Sequence, residues 1–525
     1  MKKKDLEITP EFERGLHILE ETEQTLFLTG RAGTGKSTFL ELFRSCTKKK
    51  MVVLAPTGVA ALNVRGQTIH SFFRFKPQIS LSDARNLALK TRQRDLYRKV
   101  QLIVIDEISM VRADLLDCVD VFLKAVRRSD APFGGVQMVM IGDLYQLPPV
   151  VRNDDREAMA ALYRTPYFFS ARVFEQYQQE PEGIEFLELE RIFRQSDRDF
   201  IDLLEGIRHR TVTPEQLGFL NQRSGVELPE EETIILVATN AQAEQLNQAR
   251  LAELPEEEER TYRGELSGDF SARDMPTEEE LTLRVGARVM FLANDPEGAW
   301  VNGSLGTVTA LDEEAPTVLL DESEEEVEAY PFDWECFQTS YDKEKQEIET
   351  EAVGTFRQVP LKLAWAITIH KSQGKTFDRV VIDLGRGAFA PGQTYVALSR
   401  CRTLEGITLR KPLRMSDIRL DYAIVRFLTQ FQYRLAELAM SLEERVDLLR
   451  QAIREERELC ITYLKNQDQK SHRRIRPLRL GEMVYAGVPF LGLEAYCYER
   501  RENRTFRVDR ILEISEVVSP AIPPW

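Results

Sequence analysis

The stretch GRAGTGKS, residues 30–37, decides the fold because it matches the phosphate-binding pattern G-x-x-x-x-G-K-[ST]. The apolar run Thr25–Thr29 before it predicts a strand, and Ser37–Phe43 after it predicts a helix. Glycines in such a loop let backbone N–H groups surround phosphate oxygens, and the helix N-terminus adds positive potential. The sequence therefore predicts a nucleotide site with the contacts Gly30, Ala32, Gly33, Thr34, Gly35, Lys36, Ser37 and Thr38.

Polar side chains also follow two later strands of the same pattern. Asp106 and Glu107 come directly after the apolar run Leu102–Ile105, and Gln146 follows Gln137–Ile141. An acidic pair at a strand end is typical of a site in which one carboxylate holds Mg²⁺ and the next polarises water. The structural alternative is that the acids cap a helix and that Gln146 belongs to a turn.

Each of these side chains has an expected role. Lys36 would reach the β- and γ-phosphates of ATP, and Ser37 with Asp106 would hold Mg²⁺. Glu107 would act as general base, and Gln146 would contact the γ-phosphate or the attacking water. We therefore expect ATP as the substrate and Mg²⁺ as the cofactor.

Apolar strands that alternate with helical stretches predict an α/β fold with a parallel sheet. Between residues 275 and 355 the pattern changes to short strands with Gly and Asn-Gly turns, which predicts a small β-barrel insertion. The predicted organisation is an α/β unit at 1–180, a second at 181–274 and 356–415, the insertion at 275–355, a helical connector at 416–460 and short strands at 461–525.

Composition excludes several classes of protein. The chain has 525 residues and a formal net charge of −15, so a uniformly basic nucleic-acid coat is excluded, although a local basic groove is not. None of the six cysteines forms a C-x-x-C pair, which predicts free thiols in a reducing cytoplasm. The N-terminal lysines precede no apolar stretch, and no apolar run approaches the length of a membrane span. We expect a cytoplasmic protein without a membrane partner.

Seven motifs in one order carry a family resemblance. They are GRAGTGKST (30–38), APTGVAALNVRGQTIHSFF (55–73), VIDEISMV (104–111), IGDLYQLPPV (141–150), LERIFRQ (189–195), AITIHKSQGKTFD (366–378) and TYVALSRCR (394–402). Together they resemble superfamily 1 helicases of the Pif (petite integration frequency) family, and the second motif is the most discriminating. The resemblance implies two RecA-like domains with ATP in the cleft between them and an SH3-like β-barrel insertion that closes over DNA.

The resemblance also implies roles for individual residues. Arg194 and Arg400 would be arginine fingers from the second domain, and Gly374 would contact the nucleotide. The single-stranded DNA path would be lined by Thr57, Asn63, His70, Ser71, Phe72, His370, Lys371 and Ser372. For Phe72 and its neighbour Phe73 core packing is an equal alternative to base stacking, and the two histidines could also be core residues. Helicases of this group carry a Gln upstream of the loop, whereas here no Gln precedes Gln24.

The activity implied is an ATP-dependent 5′-to-3′ DNA helicase that moves on single-stranded DNA and unwinds forked or 5′-overhang duplexes. A bacterial, nucleoid-associated monomer is expected, with family-level roles in repair, recombination and telomere maintenance. The alternative is an ATP-gated switch that binds single-stranded DNA without unwinding it and is controlled by the C-terminal segment.

That C-terminal segment is locally basic. Residues 471–510 hold nine arginines and no lysine against five acidic residues, and the arginines alternate with tyrosines. The segment resembles WYL domains, although the Trp-Tyr-Leu string is absent. Basic groups beside aromatics suit nucleic acid or a small anionic ligand, with the expected contacts Arg474, Tyr496, Arg500, Arg504 and Arg507. Arg510 could instead pair with Asp509 or Glu513 and stabilise the barrel.

Overall fold

A computed structural model describes residues 8–76, 78–152, 155–179, 184–195, 197–227, 233–272, 275–321, 323–342, 347–465, 468–485 and 487–516. The chain divides into two compact units, residues 1–420 and 421–525. The first unit has the predicted α/β fold, and every residue of the predicted nucleotide site lies in this unit.

The first unit is built on a parallel six-stranded sheet. Its strands are β1 (Thr25–Gly30), β2 (Met51–Ala55), β3 (Gln67–Thr68), β4 (Leu102–Ile105), β5 (Gln137–Ile141) and β6 (Ile184–Leu189). They lie in the order β3-β2-β4-β5-β1-β6. The strands β1, β4 and β5 are buried along their whole length, as expected for continuous apolar runs in a parallel sheet.

Nine helices accompany this sheet in the described chain. They are α1 (Pro10–Glu21), α2 (Lys36–Cys46), α3 (Gly58–Asn63), α4 (Ile69–Phe73), α5 (Leu81–Lys90), α6 (Arg94–Lys99), α7 (Ala113–Arg127), α8 (Arg156–Leu162) and α9 (Arg172–Gln179). Phe12 of α1 and Phe39 of α2 meet edge to face at 5.4 Å and join a core cluster with Leu26 and Val104 of the sheet. This packing fixes the start of α2, where the phosphate loop ends.

The strand β6 corrects the predicted domain boundary at residue 180. It lies within the predicted second domain, yet it pairs in parallel with β1 from Thr25–Ile184 to Gly30–Leu189. Phe186 of β6 contacts Phe27 of β1 with ring centroids 5.6 Å apart. The first sheet therefore continues to residue 189, and the residues after it start from the same sheet edge as the phosphate loop.

An antiparallel region follows α10 (Arg198–Arg208), α11 (Pro214–Asn221), β7 (Ile234–Val237) and α12 (Asn240–Ala252). Its strands are β8 (Glu259–Arg263), β9 (Glu265–Gly268), β10 (Glu280–Arg284), β11 (Arg288–Phe291), β12 (Leu305–Leu311), β13 (Pro316–Leu320), β14 (Glu326–Glu328), β15 (Phe332–Asp342), β16 (Glu347–Gln358) and β17 (Leu361–Leu363). They form sheets of the orders β14-β13-β12-β11-β17, β15-β16-β9 and β10-β8. The strands predicted here are present, but the region starts at Glu259 rather than at residue 275.

A second parallel sheet completes the first unit. It combines β7 with β18 (Ala366–Thr368), β19 (Val380–Asp383) and β20 (Ile407–Leu409) in the order β18-β7-β19-β20. The helix α13 (Gln393–Leu398) lies between β19 and β20 in the chain and is buried on every residue. It carries most of the last motif of the resemblance.

The second unit contains α14 (Tyr422–Ala439), α15 (Leu442–Arg454), β21 (Leu459–Leu464), β22 (Lys470–Tyr485), β23 (Val488–Cys497), β24 (Glu502–Arg507) and β25 (Ile511–Glu516). The strands form one antiparallel sheet in the order β24-β23-β22-β21-β25. Leu449 and Ala452 of α15 share a core with Ile475 and Leu493 of this sheet, so α15 belongs to the C-terminal fold rather than to a separate connector. In the described ranges, no helix has both the length and the apolar character that crossing a membrane requires.

We expect Leu449→Ala to destabilise the second unit by about 2–5 kcal/mol, because Leu449 is fully buried and truncation leaves a cavity. Hydrogen–deuterium exchange of the amides in β21 to β25 measures this loss. The matched control is Leu442→Ala on the same helix, since Leu442 is 38% exposed. Equal exchange in the two variants would show that α15 does not contribute to this core.

Candidate active site

The phosphate loop has the backbone geometry that an anion site needs. Gly33 and Gly35 have φ angles of +80° and +86°, a region that glycine adopts at low cost. A Cβ atom on Gly33 would lie 2.5 Å from the Cβ atom of Arg194, so a side chain is also excluded by space. The loop ends at Lys36, the first residue of α2, which places a helix N-terminus beside it.

The ammonium group of Lys36 is held by the loop itself. Its Nζ donates to the carbonyl oxygens of Gly30 at 2.7 Å and Arg31 at 2.9 Å. Burial lowers the pKa of Lys36, while the carboxylates of Asp143 and Glu107 oppose this shift. A phosphate that enters the loop would therefore meet a cation already confined to the site.

The acidic pair lies at the end of β4 as predicted from the sequence. Glu107 has a φ angle of +50°, and its carboxylate accepts a hydrogen bond from Nε2 of Gln373 at 2.8 Å. Burial and the neighbouring Asp106 raise the pKa of Glu107 to about 7. Burial also raises the pKa of Asp106, and Lys36 opposes that shift. A carboxylate poised near neutral pH can exchange a proton with water.

Gln146 belongs to a hydrogen-bonded network that the sequence did not assign. Its Oε1 accepts from Gln373 Nε2 at 3.0 Å, and its Nε2 donates to Asp143 at 3.3 Å. Asp143 also pairs with the buried guanidinium of Arg208 at 3.3 Å. In the sequence, Asp143 follows a predicted strand and stands next to Gly142. Only this position could have identified Asp143 as a site residue.

Arg194 is close to the phosphate loop, but its predicted origin is wrong. It follows β6 of the first sheet, and its Cβ atom packs on Gly33, so it does not reach over from the second sheet. Phe193 donates its backbone N–H to the Gly33 carbonyl at 2.9 Å. Nη1 of Arg194 donates to the Ser399 carbonyl at 3.2 Å, which links the loop to the end of α13.

Arg400 comes from the second parallel-sheet region and is only 1% exposed. Its guanidinium donates to the Val396 carbonyl at 2.9 Å, the Lys375 carbonyl at 3.3 Å and the Ser399 hydroxyl at 2.9 Å. In the described chain no carboxylate forms an ion pair with it. Burial and the nearby Arg194 lower the pKa of Arg400 to about 9, while Glu107 opposes the shift. The site thus contains a buried cation without a bonded counter-ion.

Tyr395 and Gly392 bring α13 into direct contact with the nucleotide edge. The hydroxyl of Tyr395 accepts the backbone N–H of Ala32 at 3.1 Å. At Gly392, with φ of +73°, a Cβ atom would lie 2.4 Å from the carbonyl oxygens of Tyr145 and Gln146. Tyr395 belongs to the motif TYVALSRCR (394–402), which suggested no role for it, and Gly392 lies two residues before that motif.

The remaining predicted nucleotide contacts fit a metal-bound triphosphate. Ser37 is exposed and Asp106 is half-buried, and Thr34 donates its hydroxyl to the Arg31 carbonyl at 3.0 Å. Thr38 is half-buried, whereas Gly374 is exposed with open space around it. A hydroxyl and a carboxylate suit Mg²⁺, which takes few protein ligands when phosphates and water supply the rest. Among the described residues no cluster of three or more His, Cys, Asp or Glu side chains offers a complete metal cage.

Half of the predicted DNA contacts are accessible side chains. Thr57, Asn63, Ser71 and Lys371 are exposed. Asn63 accepts from Asn302 Nδ2 at 3.4 Å, and Lys375 donates to the Asn302 amide oxygen. Asn302 therefore bridges α3 and the segment after β18. This contact brings the two halves of the predicted DNA path together.

For Phe72 and Phe73 the structure agrees with the core-packing alternative, and for Ser372 the predicted DNA contact is wrong. Phe72 is 3% exposed and Phe73 is 1% exposed, and their rings pack with Tyr97, so they are core residues rather than stacking platforms. Ser372 is fully buried and donates to the Ile369 carbonyl at 2.8 Å. The half-buried His70 and His370 have pKa values lowered by burial, which favours neutral imidazoles.

The predicted C-terminal contacts do not form one cationic surface. The guanidinium of Arg474 pairs with Glu458 and lies 5.0 Å from the Tyr498 ring, and Tyr498 contacts Tyr496 edge to face. The two arginines of β24 each have an acidic neighbour: Arg504 pairs with Glu502 at 2.7 Å and Arg507 with Asp509 at 2.7 Å. Arg504 and Arg507 are three residues apart on one strand, so they point to opposite faces. Arg500 is exposed between β23 and β24.

Both units of this chain resemble known proteins. A model of the PIF1-like helicase family matches residues 16–212, and a model of the WYL domain matches residues 444–516. The ATP-dependent DNA helicase Pif1 of Bdellovibrio bacteriovorus is 34% identical over 435 residues, which cover 82% of this chain and 93% of that protein. The human ATP-dependent DNA helicase PIF1 is 35% identical over 401 residues, which cover 73% of this chain but 58% of the human protein.

A solved structure gives the same result. The crystal structure of Bacteroides sp. Pif1 in complex with ADP-AlF4 has a TM-score of 0.73 at 39% identity and covers 81% of this chain and 96% of that one. The resemblance inferred from the motifs is thereby confirmed, and the WYL match begins within α15, in agreement with the core that α15 shares with the C-terminal sheet. The chain belongs to the PIF1-like helicase family and carries a WYL domain at its C-terminal end.

Proposed function

We propose that the chain is a DNA-dependent ATPase that moves 5′ to 3′ along single-stranded DNA and unwinds duplexes with a fork or a 5′ overhang. The observation that carries the proposal is the buried guanidinium of Arg400, which lies near Glu107 and Arg194 and forms no ion pair with a carboxylate of the described residues. Such a cation is costly unless a ligand brings negative charge, and charge develops on a transferred phosphoryl group.

Nucleotide binding would rearrange two contacts of the loop. The ammonium of Lys36 would leave the Gly30 carbonyl for phosphate oxygens, and the Ala32 N–H would leave the Tyr395 hydroxyl. The second change alters a contact between α13 and the loop, so binding of ATP is coupled to the relative position of the two sheets. Ser37 and Asp106 would hold Mg²⁺, which neutralises phosphate charge when bound.

Hydrolysis then uses side chains that already touch one another. Glu107 would take the proton of the attacking water as its oxygen bonds to the γ-phosphorus and the bond to ADP breaks. Gln373 Oε1 is buried with no donor among the described residues, so it offers an acceptor that helps orient this water. Gln146, held by Gln373 and Asp143, would contact the γ-phosphate. Arg400 and Arg194 would stabilise the negative charge from two sides.

The DNA path supports sequence-independent binding. Hydroxyl, amide and ammonium groups such as Thr57, Asn63 and Lys371 bind backbone phosphates without reading bases. Bacteroides Pif1 has also been crystallised bound to single-stranded DNA, and that structure matches this chain with a TM-score of 0.57 at 39% identity. We infer the same class of ligand for this chain and ATP as its nucleotide.

The alternative function is an ATP-gated switch that binds single-stranded DNA without unwinding it. Control by the C-terminal domain would require a ligand there, and three of the five predicted contact arginines and tyrosines already have acidic partners. A nucleic acid or small anion would have to displace these partners. The geometry therefore favours the motor over the switch.

Strand displacement tests the proposal. We expect the full chain with ATP and Mg²⁺ to release the labelled strand of a duplex with a 5′ single-stranded overhang and to leave the matched 3′-overhang duplex paired. Lys36→Ala is the control for nucleotide dependence. ATP hydrolysis stimulated by single-stranded DNA without strand release would support the switch, and absence of stimulation would contradict both.

Arg400→Lys should reduce kcat of the DNA-stimulated ATPase by about a thousandfold or more, because lysine lacks the guanidinium fork that stabilises phosphoryl charge. Steady-state kinetics measure the effect, and binding of single-stranded DNA should persist. The matched control is Arg402→Lys, since Arg402 is half exposed and pairs with Asp378 at the surface. A kcat of Arg400→Lys within threefold of Arg402→Lys would refute the assigned role (threefold being about 0.7 kcal/mol).

The pH dependence follows from Glu107. Its pKa is raised to about 7, so below that pH the carboxyl is protonated and cannot take a proton from water. We expect kcat/KM for ATP, measured at saturating DNA, to rise with pH through about 7 and then level off, because this ratio reports the pKa of the nucleotide-free site. In Glu107→Gln the residual rate should lose this rise. A wild-type profile flat across neutral pH would exclude Glu107 as the titrating base.

A further inference from the structure

Basic residues gather at the amino-terminal edge of the first sheet, opposite the phosphate loop. Lys50 precedes β2, Arg98 and Lys99 end α6 before β4, and Arg127 ends α7 before β5. Parallel strands bring their amino ends to one edge, so these residues meet. They line a pocket of about 360 Å³, here called the basic pocket, with the polar lining residues Glu23, Lys50, Arg98, Lys99, Gln101 and Arg127.

Arg127 is fixed with one side of its guanidinium open. Its Nε donates to the Gly134 carbonyl at 2.8 Å, and its Nη1 donates to the Tyr97 and Val100 carbonyls at 2.9 and 3.1 Å. Its Nη2 has no acceptor among the described residues and is not buried. Burial lowers the pKa of Arg127, and no described carboxylate pairs with it.

Arg98 repeats this arrangement at the rim. Its Nε donates to the Val126 carbonyl at 3.0 Å, and the side chain is otherwise exposed. No carboxylate of the described chain forms an ion pair with it. Lys50 and Lys99 add positive charge, and Glu23 is the single acid of the lining. Guanidiniums that are held by backbone carbonyls keep their outer N–H groups oriented, so little entropy is lost when they bind a phosphate.

We propose that the basic pocket is a second phosphate-binding site, which takes a backbone phosphate of duplex DNA or the phosphates of a small polyphosphate anion. The chain is acidic overall, at −15, whereas the lining of the basic pocket holds four basic residues and one acid, so the pocket is a local excess of positive charge. β4 has four residues, so the two sheet edges are about 13 Å apart, and the pocket is separate from the nucleotide edge.

Two binding measurements on the full chain test the proposal and distinguish its two ligands, duplex DNA and a small polyphosphate anion. The variants are Arg98→Ala and Lys50→Ala, and the matched control is Arg85→Ala on α5, which is exposed in the same unit. Affinity for a blunt duplex is measured by anisotropy over a series of salt concentrations. Binding of inorganic tripolyphosphate is measured by calorimetry with a nonhydrolysable ATP analogue and Mg²⁺ saturating the phosphate loop. ATPase stimulation by a short single-stranded oligonucleotide reports on the motor site and on folding.

If the ligand is duplex DNA, each variant loses about three- to tenfold in duplex affinity at low salt. The slope of log affinity against log salt concentration then falls in magnitude by about 0.9. If the ligand is a small anion, tripolyphosphate binds the wild-type chain, and each variant loses affinity for tripolyphosphate by a similar factor while its affinity for the duplex stays unchanged. In both cases ATPase stimulation remains that of the Arg85→Ala control. Variants that match this control in both binding measurements would overturn the proposal, whether or not the chain unwinds DNA.

Discussion

The structure depends on desolvated charges that meet where the strands of the first sheet end. The carboxylates of Asp143, Glu107 and Asp106 oppose the lowering of the pKa of Lys36 by burial, and burial together with Asp106 raises the pKa of Glu107. In such surroundings an unmatched charge costs several kcal/mol, so each group must be held by neighbours. Backbone carbonyls hold Lys36, and Gln373 holds Glu107. The site is thus formed before ATP binds, and phosphate oxygens would only have to replace the carbonyl oxygens that accept hydrogen bonds from Lys36.

The same edge couples the two parallel sheets. Tyr395 of α13 occupies a loop amide, and Gly392 lets the start of α13 touch the backbone of Gln146. Arg194 extends the coupling in the other direction, because it stands on the first sheet and bonds to the Ser399 carbonyl of the second region. Under the proposed function, a change in the loop on binding or release of nucleotide would be transmitted to α13 through these contacts. Such coupling is what a cycle of ATP hydrolysis needs to become movement along a strand.

Much of this arrangement could be predicted from the sequence, and the misses have physical reasons. The strands before Gly30, Asp106 and Gly142 are continuous apolar runs, which are distinctive without knowledge of the fold. In contrast, the apolar pattern of β6 is interrupted by Glu185 and Glu188, and its sheet is decided by pairing with β1, which is more than 150 residues away in the chain. Phe72 lies in a five-residue helix, too short for a period of 3.6 to show which face is buried. The role of Tyr395 depends on a contact 363 residues distant in sequence.

A parallel sheet gives this chain two chemically different edges, and its sequence exploits both. At the carboxyl ends the loops carry glycines, carboxylates and amides, which under the proposed function would bind and hydrolyse a phosphate anhydride. At the amino ends the segments before β2 and β4 carry lysine and arginine, whose charge would repel the catalytic cations if it lay at the same edge. The length of the strands keeps these two sets of charges apart. The topology of the sheet therefore places the predicted catalytic groups and the basic pocket at opposite edges.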